Sequence, residues 1–459
     1  MSAMAPSPVR STWGSRFGFI LAASGSAIGL GNIWRFPYVV GENGGAVFVV
    51  IYLAFVFLIG APVMLAELTL GRHTNRNPVG AFDAVAPWSW WKLVGLLGVL
   101  TGVGILSFYG VIAGWTLGYF FKTISGSFAQ TMTAEQSTAL FSEFVGSWQV
   151  AIGLLALFLV LTALIVWRGV SRGIELVSKI LMPVLFLLLV VLAVRSVTLS
   201  GAGGGLEFYL APDFSKLTPQ TIPTALGQAF FSLSLGMGAM ITYGSYIRKR
   251  DNLVSSAGIV CLFDTSIALL AGLIIFPALF HSGLDPASGA GLVFQVLPTL
   301  FATLPAGQLF GAAFFLLLTI AALTSTISLL EVPVSYLIDE WRWTRGKAVV
   351  WTTLVTILIG VPSALANGAV GMFTDVPGVG TGFLNLMNIV FGNYSLSIGS
   401  LLLALFVGYK WGVRGALAEI ESEGVTFGFK AAWAFLLRFL CPVAVAIIIT
   451  YIIWTGNYF

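Results

Sequence analysis

Apolar positions come in runs of roughly twenty residues, each long enough to cross a hydrocarbon core of about 30 Å as a helix. About eleven such runs follow one another, over residues 14–40, 44–70, 92–121, 148–167, 172–196, 220–247, 254–281, 307–338, 346–366, 381–411 and 433–456. They are numbered here as segments one to eleven. No stretch between them is long enough for a separate soluble domain, so the pattern predicts an all-α membrane protein in a single transmembrane domain, residues 1–459.

Polar residues interrupt two of the runs. Segment one carries Ser24-Gly25-Ser26-Ala27-Ile28-Gly29-Leu30-Gly31-Asn32 at its middle, and segment six carries Ser232-Leu233-Ser234-Leu235-Gly236-Met237-Gly238. Unpaired backbone groups survive at membrane depth only where protein, water or an ion satisfies them. Both interruptions therefore predict broken helices around a mid-membrane binding site. Segments one and six open two successive sets of five, which predicts two inverted repeats, 14–196 and 220–411, with 433–456 as an extra helix. The halves share no obvious sequence identity, so the repeat rests on position. Gly110, Gly114 and Gly118 on segment three read instead as a close helix contact.

Composition agrees with the pattern: 58% of the 459 residues are hydrophobic and 9% charged, which fixes an integral membrane protein. With a cytoplasmic N-terminus, 18 of the 22 lysines and arginines fall on the inside, leaving Arg35, Lys122, Arg195 and Lys216 outside. The net charge of +4 reflects this bias and no nucleic-acid partner. An odd number of segments puts the C-terminus outside. The residues before Arg10 are too few for a cleaved signal peptide, so segment one is expected to stay as a signal anchor. Cys261 and Cys441 both fall within segments, against a disulfide framework.

The motifs together are specific. Trp13, the run Ser24 to Pro37 and Gly41-Glu42-Asn43-Gly44-Gly45 resemble the first-helix signature of the neurotransmitter:sodium symporter family. Phe230 to Gly236, Ala271 to Pro277 and Leu323-Thr324-Ser325-Thr326-Ile327-Ser328 resemble its sixth, seventh and eighth helices, so the likeness runs nearly the whole chain. It extends to the bacterial eleven-helix hydrophobic amino acid transporters of that family. The resemblance implies alternating-access symport driven by sodium, with two ions expected, in the plasma (inner) membrane.

By that resemblance the first sodium site would use the Ala27 carbonyl, Asn32, Ser232 and Asp264, completed by the substrate carboxylate. The second would use the Gly25, Ile28 and Ala321 carbonyls with the Thr324 and Ser325 hydroxyls. Neutral oxygens suit a hard monovalent cation, although such hydroxyls also bond back to helix carbonyls. Asp264 stands where many animal members have asparagine and need chloride. An intramembrane aspartate is costly unless it meets a cation, so no chloride requirement is expected; a protonated Asp264 acting only as a hydrogen-bond donor is the alternative. Ala268, one turn on, supplies no second acid or hydroxyl.

Gly29 replaces the aspartate that holds the amine in monoamine-carrying relatives, so an amino acid with its own carboxylate fits better. The expected substrate-binding residues are Ser26, Ala27, Gly29, Leu30, Gly31, Ile105, Tyr109, Phe231, Ser232, Ser234, Met237, Ser325 and Leu329. Met237 is flexible and favours large aliphatic or aromatic substrates such as leucine and tryptophan, unless it and Ile105 serve only to pack helices. The outer gate would be Arg35 with Gln228, Phe231 and Tyr109, and Asn388 stands where an acidic partner is usual. The inner gate would pair Arg10 with Asp339 under Trp13. Glu67 would accept from unwound backbone near Gly236, and Gly173 with Pro183 resembles a motif for unwinding segment five. Glu331 is intramembrane with no assignable partner.

Other classes fit less well. His73 and His281 lie in loops, and neither a metal-ligand cluster nor a Walker loop is present, so no enzyme is expected. A transport-dead amino acid sensor on the same fold, or a symporter of another small amino acid, remains as the alternative. The sequence leaves the oligomeric state open. Gly201 to Gly205 reads as a flexible outer loop, and the sequon Asn393-Tyr394-Ser395 falls inside a segment.

Overall fold

The computed structural model describes residues 11–128, 133–283, 285 and 292–455. It is all-helical among them, and nine of its helices are long and apolar enough to span a membrane. A bent pair, Arg16–Ala27 and Gly31–Glu42, inclined at 48°, makes a tenth by the same measure. The nine are Ala46–Thr74, Lys92–Ile124, Trp148–Trp167, Val170–Val197, Leu253–His281, Gly307–Trp341, Arg345–Ala364, Phe383–Lys410 and Lys430–Trp454. Segment six falls outside this measure because it is two short helices, Thr221–Ser232 and Ala239–Gly244.

Both breaks sit where the polar residues predict them. The first separates Ala27 from Gly31, and Ile28 at the end of its first half is extended. In segment six the chain turns through left-handed backbone at Ser234, Gly236 and Gly238, with φ of 54°, 80° and 76°. Glycine takes this conformation without a Cβ clash. Ser234 carries the penalty, and its hydroxyl donates to the Ser26 carbonyl at 2.8 Å across the two breaks.

Segments three and eight form the centre: 78% of the apolar core of each is buried, against 33% for segments four, five and eleven, whose outer faces are left for lipid. The glycines of segment three allow the close approach expected of them. A Cβ on Gly114 would stand 3.0 Å from the Leu154 backbone, and one on Gly118 2.4 Å from Phe144.

Some expectations change. Gly201 to Gly205 is no flexible loop: Gly201 is left-handed and Ala202–Leu210 is a helix whose Gly205 packs against the Phe276 carbonyl. Short helices Pro78–Val85, Ala134–Gly146, Leu292–Thr303 and Val413–Ile420 also occupy connections with no apolar run long enough to announce them. Asn393 of the sequon is buried, in a π-helical stretch Asn388–Ser395. Segment five is wound throughout, with π-helix Val170–Glu175 running into Leu176–Val197 and Pro183 inside it.

Candidate functional site

The two broken helices meet at their breaks, where Ser234 bonds to Ser26, and leave a space that neither fills. Between them and segments three and eight lies a cavity. Its lining contains Ser26, Ala27, Gly29, Gly31, Ile105, Tyr109, Phe231, Ser234, Met237, Ser325 and Leu329, eleven of the thirteen substrate positions expected from sequence. Leu396 of segment ten also lines it, a contact that an unremarkable leucine could not announce. Leu30 is placed behind the wall, where its N–H donates to the Tyr109 hydroxyl at 2.8 Å, and Ser232 belongs to a neighbouring cluster. Gly29 keeps the cavity open: a Cβ there would lie 2.3 Å from the Ser325 Oγ and 2.6 Å from the Tyr109 hydroxyl.

Asp264 is fully buried and is the hub beside this cavity. Asn32 Nδ2 donates to its Oδ1 at 2.7 Å, and the Ser232 hydroxyl lies 3.0 and 2.8 Å from its two oxygens. Tyr52 joins them, its hydroxyl 3.2 Å from Ser232 Oγ and 3.4 Å from Asp264 Oδ2. Sequence reading missed Tyr52; a lone phenol in the apolar run of segment two was the available signal. The donors converge on a carboxylate, which accepts through both oxygens. Asn32 Oδ1 faces the Gly29 N–H at 3.2 Å.

The residues expected at a second ion position also come together from distant parts of the chain. Thr324 Oγ1 lies 3.0 Å from the Ala321 carbonyl and 3.4 Å from that of Ile28, and Ser325 Oγ lies 3.4 Å from the same Ile28 oxygen. Gly25 lets segment one approach: a Cβ on it would stand 3.1 Å from Thr324 Cβ. The donor set is neutral oxygen throughout, which fits a sodium ion as cargo. Thr324 also bonds back within its own helix, to Ile320 at 3.3 Å.

Glu67 accepts from the Gly236 N–H at 2.7 Å, tying segment two to the break in segment six. Above the cavity, the Arg35 guanidinium stacks on Phe231 at 4.6 Å and donates to Asn393 Oδ1 of segment ten at 3.4 Å. Asn388 does not reach Arg35; its side-chain oxygen packs toward Gly392. Gln228 Nε2 turns to the Gly31 carbonyl at 2.8 Å.

Below the cavity, Trp13 is buried against Tyr243 and Tyr246, and its indole N–H donates to the Tyr243 carbonyl at 3.0 Å. Asp339 accepts from Asn77 N at 2.9 Å. Arg10 lies outside the described residues. Glu175, beside Gly173, accepts from Gly14 N at 2.6 Å, Ser15 Oγ at 2.9 Å and Lys179 Nζ at 2.6 Å, so segment five holds the start of segment one. Glu331 finds the partners that sequence could not supply: the Tyr246 hydroxyl at 2.7 Å and Arg345 at 2.5 Å.

The comparisons with known proteins agree with this geometry. Residues 10–141 and 139–457 match the profile of the sodium:neurotransmitter symporter family. An uncharacterized sodium-dependent transporter of Bacillus subtilis is 42% identical, covering 95% of this chain and 96% of its own. One from Haemophilus influenzae is 37% identical over 96% of this chain and 97% of its own. The crystal structure of MhsT in complex with L-phenylalanine superposes with a TM-score of 0.89 at 46% identity, covering 96% of this chain and 99% of that one.

Proposed function

Since this chain belongs to the sodium:neurotransmitter symporter family and is a sodium-dependent symporter rather than an enzyme, we propose that its cargo is a hydrophobic L-amino acid, aliphatic or aromatic, carried with two sodium ions and without chloride. The observation that carries this reading is the join between the cavity and the Asp264 cluster. The carboxylate end of a bound amino acid would face Ala27, Asn32 and Ser232, while Ile105, Phe231, Met237 and Leu329 offer an apolar volume to its side chain. Binding of phenylalanine by MhsT supports the same side-chain class.

In this reading the substrate carboxylate and the Asp264 carboxylate face one cation, so ion and amino acid bind as a unit. Asp264 supplies the fixed negative charge for which relatives with asparagine use chloride. The second ion would hold segment one to segment eight through Ile28, Ala321, Thr324 and Ser325. Inward release would part Trp13 from Tyr243 and unwind segment five at Gly173 and Pro183, relieving the hold of Glu175 on Gly14 and Ser15. The two inverted repeats would supply the rocking bodies, in an inner membrane with the N-terminus cytoplasmic and the C-terminus outside. At about 2.3 kcal/mol per charge per 100 mV and about 1.4 kcal/mol per tenfold gradient, two ions supply roughly 7 kcal/mol. That sustains on the order of a 10⁵-fold amino acid gradient at perfect coupling.

The test is uptake of labelled leucine, phenylalanine and tryptophan by purified protein in liposomes, with sodium or potassium outside and chloride or gluconate as anion. Saturable uptake that needs sodium and ignores chloride is expected. Sodium-dependent binding without uptake would favour a sensor, and uptake confined to a small polar amino acid would overturn the substrate class.

A further inference from the structure

A second cavity, a crevice open on one side, lies apart from the substrate cavity and shares no lining residue with it. Its walls come from Leu192 of segment five and Leu199 in the turn just after it, Ile274 of segment seven, Leu300 of helix Leu292–Thr303 and Phe310 of segment eight. Ser196, which also borders it, is spent on the Ile274 carbonyl at 2.6 Å. Arg195 is the charged group at its rim.

Arg195 is half-buried two residues before the helix ends at Val197, the level at which a guanidinium meets lipid headgroups. Its guanidinium stacks over Phe310 at 5.6 Å, and no carboxylate pairs with it among the described residues. The flanking Val191, Val194 and Leu309 are exposed, so the cavity borders the lipid-facing surface. A cation poised over its mouth selects for an anion attached to a hydrocarbon chain.

We propose that this cavity is a lipid site: one acyl chain of an anionic phospholipid of the outer leaflet enters between segments five, seven and eight, and its phosphate is held by Arg195. The lipid would be structural cargo of the fold rather than a transported substrate. Since segment seven carries both Ile274 and Asp264, a chain seated there would press on the helix that bears the ion-site carboxylate.

Native mass spectrometry of the purified full chain, titrated with phosphatidylglycerol, phosphatidylcholine or myristate, tests this. One tightly retained phosphatidylglycerol is expected, with phosphatidylcholine held about fivefold more weakly, the size of one surface cation's contribution. Arg195→Gln should abolish that preference and Arg195→Lys should keep it. Ala278 of segment seven also lines the cavity, and Ala278→Phe, which fills it without touching the charge, should lose the retained lipid while still eluting as a monodisperse, helical protein. Equal retention of both phospholipids, or unchanged retention in Arg195→Gln and Ala278→Phe, would overturn the proposal. Displacement of phosphatidylglycerol by equimolar myristate would also overturn it, by assigning the cavity to a free fatty acid.

Discussion

Changing Asp264 to Asn removes one negative charge while keeping shape and one acceptor oxygen. In the structure Asp264 is fully buried and receives Asn32 Nδ2 at 2.7 Å and Ser232 Oγ at 2.8 Å, with the Tyr52 hydroxyl at 3.4 Å. The hydroxyls can rotate to meet an amide, so the fold should persist. A sodium ion among these oxygens would lie within about 4 Å of the carboxylate charge, worth about 4 kcal/mol at an effective dielectric constant of about 20. The retained amide oxygen and rearranged hydroxyls return part of that. The expected loss is therefore on the order of 10²- to 10³-fold in sodium affinity in chloride-free medium. Chloride should restore part of it, because Tyr52 and Ser232 would then face a site lacking its anion. The assay is a sodium titration of labelled phenylalanine binding to detergent-purified wild type and variant, in chloride and in gluconate. A half-saturating sodium concentration unchanged within a factor of about three would refute the argument, since no one-charge loss at that distance is so cheap. Strong weakening that chloride leaves untouched would retain the sodium role and sink the explanation of chloride independence.

Three further outcomes follow from the same geometry. Gly29→Ala puts a methyl 2.3 Å from Ser325 Oγ and 2.6 Å from the Tyr109 hydroxyl; overpacking of about 1–3 kcal/mol should weaken amino acid binding by about tenfold or more, read by equilibrium dialysis. Glu331→Gln breaks the ion pair with Arg345, and because Arg345 is 22% exposed the cost should sit near the low end for a buried pair, about 3 kcal/mol, visible as a lowered thermal midpoint in detergent. Outside the membrane-spanning helices, burial alone would raise the Glu419 carboxyl, but hydrogen bonds from Lys249, His73 and Arg72 outweigh it and hold the group below its ordinary value of 4.5. A carboxyl lowered on folding contributes stability that is complete above that ordinary value and is lost as pH falls through the lower, folded one. Thermal stability should therefore decline below about pH 4.5, and Glu419→Gln should flatten that decline.

The two breaks were legible in the sequence because their causes are local. Gly236 and Gly238 sit at positive φ, and Gly25, Gly29 and Gly31 allow close approach, properties of the residues themselves wherever the chain goes. Apolar run length likewise located the long helices, since a membrane span must satisfy its own backbone. Asp264 stood out because a carboxylate at that depth demands partners.

Which partner each group meets was decided only by the tertiary structure. Arg35 reaches Asn393 rather than Asn388, both of which lie in the π-helical stretch Asn388–Ser395. Glu331 pairs with Arg345, and Glu175 holds Gly14 and Ser15 across more than 150 residues of chain. Leu396 and Tyr52 enter the site from segments ten and two, where nothing in the local pattern marks these two residues as facing it. Sequence fixes what each residue needs, an ion, a donor or room for a backbone turn, because those needs follow from its own chemistry. Packing decides who supplies it, because contact between distant segments depends on helix rotation and crossing, which no local pattern encodes.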